Sequence, residues 1–427
     1  MKVLIVGGGG REHALAWKIA QSPELKKLYC APGNAGIARL ADCINIDADD
    51  IDSLSNFARK ERIDLTVVGP EKPLVKGIVD RFQANGLSVF GPSRKAAALE
   101  GSKVFSKTLM RKYAIPTAEF RSFKELDDAR RYIGSQNRPP VIKADGLAAG
   151  KGAIVCNTQE EALEAAENII EGKLFGEAGR RIVVEEFLEG EEVSVLAFTD
   201  GSTIVPLEAV QDHKALHDGD TGPNTGGMGA YSPVPAVTDE LYRTIEKDIL
   251  VPTVHAMKKE GSPYRGIIYV GLMLTSAGPK VLEYNVRFGD PETQTLLMRL
   301  RGDLLPTLFA VARGKLETVD FGWDPRPSVC VVMASGGYPG KYGTGEEING
   351  LDDVAGVDDV VVFHAGTVVR QGKIVTNGGR VLGVTAVGAD IREAQKRAYD
   401  AVAKISFSGA YYRKDIGAKA LHHAGIA

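Results

Sequence analysis

Val281-Leu282-Glu283-Tyr284-Asn285-Val286-Arg287-Phe288-Gly289-Asp290-Pro291-Glu292 sets three polar side chains at alternate positions of an otherwise apolar run. Successive residues of a strand point to opposite faces, so Glu283, Asn285 and Arg287 share one. A carboxylate beside an amide oxygen suits a hard divalent cation held jointly with phosphate oxygens and water. An arginine one step further can grip a carboxylate or a phosphate through two parallel N–H bonds. The same three residues could simply face solvent on an edge strand. The polar continuation through Gly289, Asp290 and Glu292 argues for a site instead.

Upstream, residues 267–274 and 280–285 read as a hairpin about Ser276-Ala277-Gly278. A long helix is expected over 239–259, after a polar loop at 212–228 and antiparallel strands at 193–198 and 203–209. Ser102 is a natural N-cap for a helix ending at 112. Strands at 141–144, 153–156 and 182–187, with a helix at 160–170, make a compact α+β unit. At the N-terminus, apolar runs at 3–6, 28–31, 43–46, 65–68 and 89–90 alternate with helical stretches at 12–20, 51–60 and 74–84. That alternation implies βαβ units, hence a doubly wound parallel sheet. Beyond 329 the chain is strand-rich (329–334, 360–364, 367–369, 373–376, 380–386), with one helix at 391–405. The expected fold class is α/β and α+β multidomain, ending in a C-terminal mostly β domain.

Composition excludes several functions. The chain has 427 residues, 44% hydrophobic and 25% charged, with a formal charge of −3. That charge favours neither nucleic acid nor an anionic membrane surface. No apolar stretch is long enough to span a bilayer. Cys30, Cys43, Cys156 and Cys330 are far apart and form no disulfide or zinc pattern, as in a reduced cytoplasmic protein. The seven histidines show no metal-like spacing, and no Ser/His/Asp or Cys/His nucleophile system is legible. His213 is not assigned as a base.

Two glycine loops need separating from better-known ones. Gly7-Gly8-Gly9-Gly10 fails the dinucleotide pattern, because Glu12 stands where the third glycine belongs and Cys30-Ala31-Pro32 offers no acid for a ribose. What survives is a turn whose backbone N–H groups favour an anion at a helix N-terminus. The loop at 143–152, Lys-Ala-Asp-Gly-Leu-Ala-Ala-Gly-Lys-Gly, is not a Walker A loop. Asp145 replaces the first glycine, and Gly152 replaces the Ser or Thr. A flexible hairpin with lysine at both ends can still close over a polyphosphate.

Lys103, the 143–152 loop, Val184-Glu185-Glu186-Phe187-Leu188 and Glu283-x-Asn285-x-Arg287 together resemble the ATP-grasp superfamily. End to end the chain resembles its glycinamide ribonucleotide synthetase family. The runs carrying that likeness include Ala31-Pro32-Gly33-Asn34-Ala35-Gly36, Gly69-Pro70-Glu71, Gln211-Asp212-His213-Lys214 and Tyr411-Tyr412-Arg413-Lys414-Asp415. Most specific are Asn224-Thr225-Gly226-Gly227-Met228-Gly229-Ala230 and the run from Arg287 to Gln294. The resemblance implies an N-terminal substrate domain at 1–101, a split ATP-grasp core at 102–122 plus 189–327, a lid at 123–188 and a C-terminal domain at 328–427.

By the same resemblance, ATP is bound by Lys103, Lys143, Gly146, Gly150, Lys151, Glu185, Glu186, Phe187, Leu188, Glu192 and Asn224. Glu283 and Asn285 hold Mg²⁺ or Mn²⁺. The strand at 269–273 lacks the further acidic ligand common in the superfamily. The implied reaction joins glycine to 5-phosphoribosylamine, with ATP giving ADP and phosphate through a glycyl phosphate. Arg287, Lys143, Asp212 and Lys214 are the expected catalytic residues. Gly9, Gly10, Arg11, Asn34, Gly36, Glu71, Gly226, Asp290 and Glu292 are the expected substrate contacts. Which of Asp212, Lys214, Asn224 and Glu292 orients glycine or the amine stays open. A monomer is expected, with transient contact to the enzyme that supplies the amine. A biotin carboxylase-like or purine-carboxylating ATP-grasp enzyme is the first alternative. A Rossmann oxidoreductase or a non-catalytic nucleotide sensor is the second.

Overall fold

In the computed structural model, residues 1–148, 152–316, 321–423 and 425 are described. Strands Asp42–Cys43, Lys27–Pro32, Lys2–Gly7, Leu65–Val68 and Val89–Phe90 lie side by side in that order, all parallel. Val3, Leu4, Ile5 and Val6 are fully buried, as a strand covered on both faces must be. Parallel order places the loops after Gly7, Pro32 and Val68 together at the carboxyl edge, where open α/β sheets bind ligands. The strand expected at 43–46 is only Asp42–Cys43. The helix expected at 74–84 is two helices, Glu71–Lys76 and Ile78–Ala84, parted by Gly77 at φ 94°.

Strands Phe120–Phe123, Ile182–Glu185, Val141–Ala144 and Ala153–Val155 form an antiparallel lid sheet. Helices Leu126–Gly134 and Gln159–Ile170 cover it, burying Ala129, Ile133, Ala162, Ala166 and Ile169 against Ile142 and Ile182. A second antiparallel sheet runs Ile204–Pro206, Glu191–Thr199, Gly266–Thr275, Gly278–Asn285. Beside it, Asp239–Ile245, a π-turn at Glu246–Leu250 and Val251–Lys259 follow without a break. Pro252 explains the wide turn, since it has no N–H to return to the preceding turn.

The last large sheet is mixed in origin: Gln211–Asp212, Gly229–Ser232, Ser328–Ala334, Arg380–Val387, Val360–His364. Its first two strands come from the middle of the chain, so this sheet does not begin at 328. The segment expected as a plain loop at 212–228 holds a further hairpin, Ala215–His217 against Thr221–Asn224. Helices Arg94–Gly101, Glu292–Arg299, Leu304–Arg313 and Ala418–His423 were not expected. Glu292–Arg299 shows why: its buried residues include Glu292, Thr293, Gln294, Thr295 and Arg299, so it has no clean apolar stripe. No helix among the described residues is long and apolar enough to cross a membrane.

Candidate active site

Lys103 opens the helix Lys103–Lys112. Ser102 caps it, accepting from Phe105 N at 3.1 Å and donating to Asp145 Oδ1 at 2.8 Å. Lys103 Nζ donates to Gly146 O at 3.1 Å. A Cβ on Gly146 would meet Ala178 Cβ at 2.7 Å, so glycine lets the loop pass. Lys143 Nζ lies 3.0 Å from both Glu185 Oε2 and Leu282 O. Lys107, one helical turn beyond Lys103, reaches the same Glu185 oxygen at 2.9 Å. Glu185 Oε1 is buried with no hydrogen-bond partner among the described residues. Burial alone would raise the Glu185 carboxyl, but Lys143 and Lys107 hold it below the ordinary carboxylate range. Burial lowers Lys103, despite Glu283 nearby, and lowers Lys107 to about 8 against the pull of Glu185. This corner therefore holds clustered ammonium groups and one unanswered acceptor. Gly150 and Lys151 lie outside the described residues.

Strand Ile182–Glu185 ends just inside the 185–188 run. Glu186 turns outward, accepting from Glu119 N and Lys280 Nζ, each at 3.0 Å. Phe187 is 42% exposed and Leu188 is buried. These residues link the lid sheet to the strand Glu191–Thr199. Beside that strand opens a cleft of about 520 Å³, lined by Glu192, Asp212, Lys214, Asn224 and Met273. Lys214 Nζ sits 2.6 Å from Glu192 Oε2 and 3.3 Å from Asp212 Oδ1. Burial opposes the Lys214 charge, yet Asp212 and Glu192 keep its pKa well above the usual lysine value. Lys214 in turn lowers Glu192, while burial raises Asp212. Lys419, His422 and His423 of the last helix form the outer wall, and His423 Nε2 is 2.9 Å from Glu191 Oε2.

Glu283 and Asn285 stand on the strand Gly278–Asn285, opposite Gly271 and Tyr269. Gly271 has no side chain to cover Glu283. Arg287 lies just past the strand, and its guanidinium is answered by the protein itself. Nη2 donates to Asn285 Oδ1 at 3.0 Å, Nη1 to Phe288 O at 3.2 Å, and Glu71 and Glu100 each lie at 3.3 Å. Arg287 therefore aims the Asn285 amide, fixing which side of its oxygen stays free. Burial raises Glu100 to about 7 despite Arg287, whereas Arg287 and Arg11 overcome burial and lower Glu71. No group of three or more His, Cys, Asp or Glu among the described residues could hold a metal alone. Two oxygen ligands fit a cation that takes its other ligands from phosphates and water.

The expected substrate contacts gather at the carboxyl edge of the first sheet. Gly9 N donates to Glu12 Oε2 at 2.6 Å, and Arg11 N to Asp290 Oδ2 at 3.2 Å. Two amides expected to face a phosphate are thus already answered by carboxylates. Arg11 Nε and Nη1 bond Glu12 and Phe288 O. Asn34 ties Gly8 O to His364 O and accepts from Gly36 N, shaping the turn. Gly36 must be small, because a Cβ there would meet His13 Cε1 at 2.3 Å. Arg380 Nη1 donates to Gly226 O and Asp290 O, each at 2.6 Å, stitching those two loops together. Glu292 accepts from Tyr269 OH at 2.8 Å, and Tyr269 OH also meets Ser194 Oγ at 2.6 Å. The other Glu292 oxygen is buried with no partner among the described residues. Burial, then Asp212, pushes the Glu292 carboxyl up to about 7.

Lys107, Glu100, Tyr269 and Arg380 were not singled out from the sequence. Lys107 carried a usable signal: it is four residues after Lys103, on the same helix face. Arg380 carried none, since its partners lie 90 and 154 positions away.

A parallel N-terminal sheet, a separate four-stranded antiparallel sheet with two covering helices, and a buried lysine corner at its edge accord with an ATP-grasp protein, and an ATP-grasp family model matches residues 101–293. The biotin carboxylase domain of Hydrogenobacter thermophilus 2-oxoglutarate carboxylase shares the fold, with a TM-score of 0.74 at 18% identity, over 96% of this chain and 91% of that one. Family models for the N, ATP-grasp (A) and C domains of phosphoribosylglycinamide synthetase match residues 1–100, 101–293 and 328–419. The chain belongs to the phosphoribosylglycinamide synthetase family. It is 55% identical to the phosphoribosylamine–glycine ligase of Rhodopirellula baltica over 426 residues, 98% of each chain. The crystal structure of the Thermotoga maritima phosphoribosylamine–glycine ligase superimposes with a TM-score of 0.84 at 37% identity, covering 97% of this chain and all of that one.

Proposed function

We propose that this chain joins the carboxyl carbon of glycine to the amino nitrogen of 5-phosphoribosylamine, converting ATP to ADP and phosphate. The observation that carries the reading is the lysine corner. Lys107 and Lys143 meet at Glu185, whose second oxygen is unanswered, and Lys103 lies close enough to Lys143 to feel its charge, in a chain whose full-length relatives are phosphoribosylamine–glycine ligases. Clustered buried ammonium groups suit a polyphosphate, and the bare acceptor suits the amino group of a purine. Phe187 and Leu188 flank the base, and Glu192 and Asn224 meet the ribose in the neighbouring cleft.

A carboxylate resists nucleophilic attack because the incoming electron pair adds charge to an anion. Transfer of the γ-phosphoryl group to a glycine carboxylate oxygen, with ADP leaving, gives glycyl phosphate and removes that obstacle. The amine lone pair then attacks the acyl carbon. The C–O bond to phosphate breaks, and the nitrogen releases a proton. Glu283 and Asn285 would hold a divalent cation, which would supply neutralisation of phosphate charge. Lys143 and Lys103 hold the phosphate chain in line, Arg287 fixes Asn285, and the Asp212–Lys214–Glu292 group orients glycine or the attacking amine. This is catalysis by position and charge. The sugar phosphate docks beside the turns around Gly9–Arg11 and Asn34–Gly36, at groups other than the Gly9 and Arg11 amides that Glu12 and Asp290 already answer, framed by Glu71, Gly226 and Asp290. Mg²⁺ or Mn²⁺ serves as the cation. The enzyme works in the cytoplasm as a monomer, in transient contact with the supplier of its labile amine.

Phosphate release should require ATP, Mg²⁺, glycine and fresh phosphoribosylamine together. Release supported by bicarbonate in place of glycine and the amine would overturn the assignment in favour of a carboxylating enzyme.

A further inference from the structure

Lys107 is one of the most deeply buried charges in the molecule, with its side chain 2% exposed. Its ammonium touches Glu185 Oε2 at 2.9 Å and donates to Thr117 Oγ1 at 2.7 Å. Thr117 Oγ1 in turn donates to Val281 O at 2.6 Å. Val281 N donates to Pro116 O at 2.8 Å. Lys107 thus joins three elements. They are its own helix, the lid strand that ends at Glu185, and the strand that carries Glu283 two residues beyond Val281.

The charge count is equally specific. Lys143 and Lys107 share a single oxygen of a single carboxylate. Were Lys107 neutral, Glu185 and Lys143 would form a closed buried pair, and the Lys143 ammonium would have its counter-ion already. With Lys107 charged, the three groups together carry one positive charge in excess, offset within the chain only at longer range by Glu283, so an incoming anion is favoured there. Burial of a charge without a counter-ion is unfavourable, so the excess favours an occupied site.

We infer that Lys107 is a positioning residue for nucleotide binding: by neutralising Glu185 it leaves the Lys143 ammonium available to the phosphates. Its ammonium is already engaged by Glu185 and Thr117, so its part is to position Lys143 and not to grip the phosphates. The inference rests on the nucleotide reading of the site given above.

The test is a double-mutant cycle of Lys107→Met and Glu185→Gln, read as the affinity for ADP with Mg²⁺ by calorimetry. A Met at 107 keeps an unbranched side chain of similar bulk and removes the charge together with its bonds to Glu185 and Thr117. In the native background Lys107→Met should weaken ADP at least tenfold, because Lys143 is captured by Glu185. In the Glu185→Gln background, where no carboxylate captures Lys143, the same substitution should cost less than threefold. Lys107→Arg should stay within threefold of native affinity. In steady state, Lys107→Met should raise the KM for ATP more than it lowers kcat. Equal losses in both Glu185 backgrounds, or no loss in either, would refute the inference, as would an Arg variant as weak as the Met variant. If Lys107→Met does not fold, the comparison of Lys107→Arg with Lys107→Gln in the Glu185→Gln background decides by the same criterion: a Gln penalty above threefold there is a loss that capture of Lys143 cannot cause. Native protein that binds no ADP at all would instead remove the nucleotide reading itself.

Discussion

Glu100→Gln should make the protein more stable at pH 8 while leaving it nearly unchanged at pH 5. The Glu100 side chain is 9% exposed, and burial raises its carboxyl from 4.5 to about 7 although Arg287 lies 3.3 Å away. Between those two pH values the folded chain holds a proton that the unfolded chain has lost. Stability therefore falls as pH rises through this window and levels off above the folded value. For one such carboxyl the fall from pH 5 to pH 8 is about 2 to 3 kcal/mol. The substitution keeps the acceptor for Val286 N, which bonds Glu100 Oε2 at 2.7 Å, and removes only the ionisation. The assay is urea unfolding followed by the fluorescence of Trp17 and Trp323 at pH 5, 6, 7 and 8. Glu292, also near 7, contributes its own decline to both proteins and so cancels in the comparison. Parallel pH curves for variant and native protein would refute the reasoning. A variant less stable at pH 8 would show that the attraction of Arg287 outweighs burial.

Glu283→Ala should abolish Mg²⁺-dependent phosphate release, and near-normal turnover with Mg²⁺ would remove Glu283 from the metal site. Arg287→Ala should lower kcat/KM at least tenfold, about 1.4 kcal/mol of transition-state stabilisation. Because Arg287 aims Asn285, that variant should also need more Mg²⁺ for half-maximal rate, and an unchanged Mg²⁺ requirement would contradict the role. Arg413 is 1% exposed and pairs with Asp220 and Asp415 at 2.8 and 2.6 Å. Arg413→Met should destabilise the protein by about 2 kcal/mol, less than a fully buried pair because both aspartates reach solvent. Thermal unfolding checks this, and an unshifted midpoint would contradict it.

The parts of the fold legible in the sequence were those with a local cause. Val3 to Val6 followed by glycines dictates a buried parallel strand and a tight turn. Ser102 dictates where its helix begins, and Glu283-x-Asn285 dictates a shared face. What escaped was set by distant partners. Glu292 sits in a helix whose inward face is polar because it answers Tyr269. The segment at 215–224 folds as a hairpin partly because Arg413, some two hundred residues on, bonds Ala215 O and Asp220. The site followed the same division. The shared face of Glu283 and Asn285 could be read from spacing and Lys103 only from the family resemblance, whereas the engagement of Arg287 by Glu71 and Glu100 could be read from neither. Those carboxylates come from helices whose packing no local pattern encodes.

The mixed sheet has a consequence for the order in which the molecule can be made. Gly229–Ser232 leaves the ribosome nearly a hundred residues before Ser328–Ala334, its long partner, and until then only the two-residue strand Gln211–Asp212 can pair with it. Asp212, in that short strand, and Lys214, just beyond it, therefore acquire their final positions late in synthesis. A fragment released early would carry a raw β-edge beside an unfinished cleft. Gene fusions or split versions of this enzyme divided near residue 327 would inherit the same exposed edge, whereas a division within the lid would leave this sheet intact.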